Sequence, residues 1–236
     1  MFADRPDCIK LADEIYLFKG YIPKEINDKF VKILDAIDPK EFWEDTDSIE
    51  WYYDKMSPEV PEAIELYELV SELIYPEYVI NPQNKIITSR PGQEGMFVHC
   101  DSPGKDHADM LTQTDSYSTC SLISYGVVTY LGDFTGGEVF YPLIKENGEI
   151  KDGKAEYPDL IYKPEPGDVI IHHAEHPYEH GTKPVLSGTR YAYSCFATAT
   201  NIAPHTFYHY KTEEYKKNIP DWSDASLTKW LYGPNG

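Results

Sequence analysis

From about Val79 onward the sequence breaks into short runs of β-branched and aromatic residues: KIIT, GMFVH, CSLISYGVVTYL, GEVFYP, LIYK, GDVIIHH and TRYAYSCFAT. Gly, Pro, Asn and Asp separate them. Branched and aromatic side chains pack well on a pleated surface, and the intervening residues supply turns, so the pattern predicts a sandwich or barrel of short strands. Two longer polar connections interrupt the runs, Ser102 to Tyr117 and Lys145 to Pro158. Long connections on a β scaffold often line a site, and the first could act as a lid. KENGEIKDGK, in the second, reads equally well as an exposed hairpin with no role.

Upstream, the spacing changes. PKEINDKFVKILDAI places Ile26, Phe30, Ile33, Leu34 and Ile37 on one helical stripe, with Pro23 suited to the first turn. PEVPEAIELYELVSELI does the same with Leu66, Leu69, Val70 and Leu73, opposite Glu65, Glu68 and Glu72. Ile15, Leu17 and Phe18 form a short β-like run. The 236 residues therefore read as one domain of mostly β structure with flanking helices (α+β). Residues 1–78 are expected to be mainly helical support, 79–200 the strand core, and 201–236 a C-terminal extension packing back on it.

Charge narrows the partners. Twenty-one Lys and Arg against 40 Asp and Glu give a net charge of −19, which repels phosphate backbones and anionic lipid over most of the surface. Neither nucleic acid nor a membrane is expected as a partner. No stretch approaches the ~20 apolar residues of a bilayer span, and MFADRPDCIK lacks the pattern of a secretory signal, so a soluble cytoplasmic protein is expected. Cys8, Cys100, Cys120 and Cys195 are irregularly spaced without a CxxC pair, which suits free thiols better than a disulfide framework or a zinc cluster.

His99 and Asp101 are the first informative pair. Residues two apart in an extended segment share a face, so this imidazole and carboxylate could ligate one ion together. His180, ahead of a Gly and a Pro-Val turn, offers a third ligand, and Arg190 starts a clear strand ten residues later. Two neutral imidazoles and one carboxylate leave three positions of an octahedron open, the arrangement that suits non-haem Fe(II) oxygenases. The resulting positive charge favours a chelating 2-oxo acid, whose far carboxylate an Arg can hold bidentately. His172 and His173 are adjacent in one predicted strand, so at most one points inward, and His173 or His176 stands as the alternative third ligand. His107, His205 and His209 read as solvent or packing residues, and Cys100 as facing away from the ion.

The order H-x-D, GGE, PGD, then H-G-x-x-P-V-x-x-G-x-R-Y resembles the Fe(II)/2-oxoglutarate-dependent dioxygenases, and within them the prolyl 4-hydroxylase-like group. The resemblance runs from about Ile86 to Phe196. It implies a double-stranded β-helix, or jelly roll, with His99, Asp101 and His180 as iron ligands and Arg190 binding the 2-oxoglutarate 5-carboxylate. Tyr130, in VVTYLGDFTGGEVFYP, stands where relatives place a Tyr whose hydroxyl contacts that carboxylate. Two positions depart from the pattern: Arg90 stands where many relatives have a Tyr, making it a candidate pocket residue, and Gly132 replaces an Asn. Retention of Asp101 favours hydroxylation over halogenation, which in a related enzyme needs Ala or Gly there. The implied cofactors are Fe(II), 2-oxoglutarate and O₂, with ascorbate as a further expectation. The implied reaction is hydroxylation of a C–H bond with release of succinate and CO₂. Its substrate is a prolyl residue in a peptide or protein, with a free amino acid or other small molecule as the alternative. An alkylated nucleic-acid base, the substrate of a related repair family, fits poorly with the charge. A non-catalytic metal-binding jelly roll is the alternative of another class.

Overall fold

The computed structural model describes residues 2–36, 48–52, 61–102, 123–151 and 158–200. Within these, a seven-stranded antiparallel sheet runs in the order β1 (Cys8–Ala12), β2 (Ile15–Phe18), β8 (Val169–His173), β5 (Tyr125–Gly136), β10 (Val185–Ala199), β4 (Tyr78–Ser89) and β3 (Ser48–Tyr52). A smaller sheet of β7 (Asp159–Tyr162), β6 (Val139–Lys145) and β9 (Gly181–Thr182) packs against one face. Helices α1 (Lys24–Ala36) and α2 (Pro61–Ile74) cover the other. The result is a curled, mostly β jelly roll with flanking helices.

Period-2 alternation sorts the central strands between two cores. Val127 and Leu131 of β5, Val169 and Ile171 of β8, and Tyr191, Tyr193 and Cys195 of β10 face the helices, where they meet Phe30, Leu34, Leu66 and Val70. Each Val, Leu, Ile or Phe among them contributes about 1.5–3 kcal/mol by burial. The intervening residues face the small sheet: Tyr130 and Ile170 pack there with Val139, Tyr141 and Leu160. Gly126, His172, Arg190, Ala192 and Ser194 fall on that same inner face. The strand pattern thus delivers polar residues into the space between the sheets.

The first 78 residues, expected to be mainly helical, also supply three strands. β2 pairs with β8 from Ile15↔His172 to Phe18↔Val169 and is buried along its whole length. Covered on both faces, it reads as a short apolar run without alternation. The PGD turn enters β8 as expected: Gly167 has φ 91°, and buried Asp168 accepts hydrogen bonds from the Gly20 amide, the Tyr162 hydroxyl and the Glu165 amide. The described part of the Lys145 to Pro158 connection is a tight turn at Gly148 beneath an Ile144↔Ile150 bridge. Residues 103–122, with His107 and Cys120, and the extension 201–236, with His205 and His209, lie outside the described residues. No described helix is long and apolar enough to cross a membrane.

Candidate functional site

The segment from Gly95 to Ser102 carries two of the predicted ligands without being a regular strand. It is stitched to the β8–β9 connection and β9 by four backbone bonds: Thr182 N–H to Met96 O, His99 N–H to His180 O, His180 N–H to His99 O, and Ser102 N–H to Ala174 O, all 3.0 Å. The approach is close enough that a Cβ on Gly95 would lie 1.8 Å from the Thr182 carbonyl oxygen, so glycine is required there. His99 and His180 are direct antiparallel partners, which puts their rings on one side with centroids 4.6 Å apart.

Each ring is held by its Nδ1. His99 Nδ1–H donates to the Phe97 carbonyl at 3.0 Å, and His180 Nδ1–H to the Tyr178 carbonyl at 3.3 Å. A carbonyl can only accept, so each ring carries a proton on Nδ1, which leaves Nε2 as the nitrogen available to a ligand. One ligand atom each from His99, Asp101 and His180 lies within 4.8 Å of the others. Burial, reinforced by the His172 imidazole, pushes His180 down to about 3, so it is neutral at physiological pH. For Asp101, burial favours the protonated form, but the His172 hydrogen bond and the three surrounding imidazoles outweigh it and hold the carboxyl below its ordinary range. The group sets two imidazoles, that of His180 neutral, beside one carboxylate.

A third imidazole completes the cluster. His172 Nε2 lies 2.9 Å from Asp101 Oδ2, its Nδ1 lies 3.1 Å from the Tyr141 hydroxyl, and its ring centroid is 4.1 Å from that of His180. Gly126 is its register partner on β5. A Cβ there would lie 2.1 Å from Asp101 Oδ2 and 2.5 Å from His172 Nε2, so the carboxylate and ring occupy the space a side chain would take.

A cavity with about 480 Å³ of empty space, mouth included, is lined by these groups and by Arg190, Tyr130, Thr182 and Val139. Among the described residues that line it, Arg190 is the one permanent cation. The guanidinium is 2% exposed, donates from Nη1 to the Gly137 carbonyl at 2.9 Å and from Nη2 to Ser89 Oγ at 3.0 Å, and leaves Nε buried without a hydrogen-bond partner. Among the described residues no carboxylate pairs with it, and burial depresses its pKa. Tyr130 is also buried; desolvation pushes its phenol up to about 12 against the pull of Arg190. A larger, more open groove near Lys24, Asn27, Asp133 and Pro166 contains none of this chemistry.

The structure therefore brings His99, Asp101, His180, Tyr130 and Arg190 to one cavity. Arg90 lies outside it, exposed after β4 and interacting with the Tyr191 hydroxyl on the helix-facing side. The reason is alternation: Ser89 reaches Arg190, so the next side chain points the other way. His173 packs on Tyr125 and Tyr178, and His176 is exposed and bonded to Glu179. Burial, then Glu179, push the Cys100 thiol up to about 11, and its sulfur is not among the clustered ligand atoms. Sequence reasoning did not assign roles to His172, Tyr141, Gly126 or Ser89.

No family model matches the chain, and no curated protein matches its sequence. Solved structures do match. One of the prolyl 4-hydroxylases of Phytophthora capsici superposes with a TM-score of 0.57 over 94% of this chain and 67% of its own, at 11% identity. The non-heme α-ketoglutarate-dependent carbocyclase SnoK from nogalamycin biosynthesis gives 0.52 over 79% of each chain, at 13% identity. The chain thus has the fold of the 2-oxoglutarate- and iron-dependent oxygenases, the superfamily its motifs resemble.

Proposed function

We propose that the protein is an Fe(II)- and 2-oxoglutarate-dependent dioxygenase that hydroxylates a prolyl residue in a peptide or protein. The observation that carries this reading is Arg190: a buried guanidinium with an orphaned Nε and no carboxylate partner among the described residues, lining the same cavity as His99, Asp101 and His180. A buried cation without a counter-ion is costly, and a dicarboxylate whose far end reaches it would relieve that cost.

The residues present fit the implied groups. Two imidazoles with Nε2 free and one ionised carboxylate are a donor set suited to Fe(II) with open positions. Bound there, iron and 2-oxoglutarate would supply the oxidising chemistry, with O₂ as co-reactant and succinate and CO₂ as products. The chain's own residues place and shield. His99, Asp101 and His180 would fix the ion, and Arg190 and Tyr130 would orient the far carboxylate. Val128, Val139 and Ile87 give the cavity apolar walls that restrict water.

The prolyl substrate is supported by the motif order around His99, Asp101, His180 and Arg190, which resembles the prolyl 4-hydroxylase-like group. The reading is tested by 2-oxoglutarate-dependent succinate release with proline-containing peptides and with free amino acids, with and without ascorbate. Turnover only with peptides is expected. Turnover only with a free amino acid would replace the substrate, and absence of succinate with every substrate, despite bound iron, would favour a metal-binding module.

A further inference from the structure

Tyr141, His172 and Asp101 form a buried chain of hydrogen bonds that the iron and cosubstrate roles do not require. His172 Nε2 lies within hydrogen-bond distance of Asp101 Oδ2, at 2.9 Å. His172 Nδ1 lies 3.1 Å from the Tyr141 hydroxyl, so both ring nitrogens are engaged. Tyr141 is fully buried, and burial raises its phenol well above the ordinary value, so it remains a donor.

Resting on the function proposed above, we propose that His172, set by Tyr141, is a positioning residue that restricts Asp101 to one-oxygen ligation and so keeps a coordination position open. His172 is not in the group of ligand atoms lying within 4.8 Å of one another, and its Nε2 is already committed to Asp101. Oδ1 is the other carboxylate oxygen, 3.7 Å from His99 Nε2. An octahedral ion bound by two imidazoles and one carboxylate oxygen retains three positions, enough for a chelating 2-oxo acid and O₂ together. A carboxylate using both oxygens would leave two, and the cosubstrate alone would fill them.

The restraint is rigid on every side. His172 sits in β8 between Ile15 of β2 and Gly126 of β5, so strand pairing fixes its backbone. The space beside Gly126, where a Cβ would lie 2.1 Å from Asp101 Oδ2, is filled by the carboxylate, and the His180 ring lies against the His172 ring. Second-sphere partners of this kind typically alter metal affinity by about 10–100-fold when removed.

The test compares wild type with His172→Phe, which keeps a ring but loses both hydrogen bonds, His172→Gln, which restores an N–H donor, and Tyr141→Phe. Circular dichroism of the metal-free proteins establishes folding. Anaerobic Fe(II) titration gives affinity, and nitric oxide added in the presence of saturating 2-oxoglutarate reports the remaining position through its high-spin iron–nitrosyl EPR signal. His172→Phe is expected to bind Fe(II) ~10–100-fold more weakly and to lose the nitrosyl signal selectively when 2-oxoglutarate is present. His172→Gln is expected to recover both. A folded His172→Phe with wild-type affinity and signal overturns the proposal, as does failure of His172→Gln to recover either property. If His172→Phe does not fold, Tyr141→Phe decides: weaker Fe(II) binding supports the proposal and unchanged binding overturns it. A wild-type protein that binds iron but not 2-oxoglutarate overturns the function proposal and this one with it, whereas normal wild-type binding with indifferent variants overturns this one alone.

Discussion

His99 and His180 each donate a backbone N–H to the other's carbonyl at 3.0 Å, although neither belongs to a long strand. That reciprocal pair brings two imidazoles from positions far apart in sequence to a centroid separation of 4.6 Å. Asp101, two residues after His99, is then fixed by the Ser102–Ala174 backbone bond and by His172. Backbone pairing therefore sets the spacing of the donor set.

Replacing a member of this set should remove binding outright. His99→Ala and His180→Ala are expected to lose Fe(II) binding in anaerobic titration. His173→Ala and His176→Ala are expected to retain it, because His173 packs on tyrosine rings and His176 is bonded to Glu179 at the surface. Retained binding in His180→Ala would reassign the third ligand.

Gly126→Ala is the smallest substitution with a large expected effect. Its Cβ would fall 2.1 Å from Asp101 Oδ2, so either the carboxylate or the β5–β8 pairing must shift. Overpacking of this kind costs about 1–3 kcal/mol in stability. Thermal unfolding and Fe(II) titration together check this: a lower melting temperature with at least about tenfold weaker iron binding is expected.

Arg190→Met should separate stability from binding. Removing a buried guanidinium that lacks a carboxylate partner is expected to leave the melting temperature of the cosubstrate-free protein unchanged or raised. The same change should weaken 2-oxoglutarate binding by about 2–5 kcal/mol, the cost of losing a buried charge pair. Differential scanning calorimetry with and without 2-oxoglutarate reads both: stabilisation by the ligand in wild type, and none in the variant.

The metal-free protein should lose stability in mild acid through His180. Its folded-state pKa is depressed to about 3, whereas an unfolded imidazole takes up a proton near pH ~6.5. This contribution is fully present above that pH and declines as pH falls toward the folded value, with a limiting slope of about 1.4 kcal/mol per pH unit. Urea unfolding of chelator-treated protein at pH 7.5 and 5 should show a larger loss for wild type than for His180→Leu. Equal losses would contradict the depressed value.

The helices and most core strands were legible in the sequence because each has one dominant periodicity. Helical spacing in PKEINDKFVKILDAI matches α1 (Lys24–Ala36), and the run GDVIIHH contains β8 (Val169–His173). At the large sheet's N-terminal edge the β-like run of Ile15, Leu17 and Phe18 matches β2, whereas β1 is too short to alternate clearly. His172 was hidden for a related reason. Val169 to His172 are all buried, so periodicity alone does not say which face holds the site. Its pairing with Gly126 does, and that register is not local information. Arg90 was placed by counting back from His99, and the strand's alternation turns it outward while Ser89 reaches Arg190.

The most direct measurement is anaerobic titration of the Fe(II)-loaded protein with 2-oxoglutarate, following the weak visible charge-transfer band of a 2-oxo acid chelated to iron. A saturable band that weakens in Arg190→Met is the predicted result. Iron binding without any band would contradict the account.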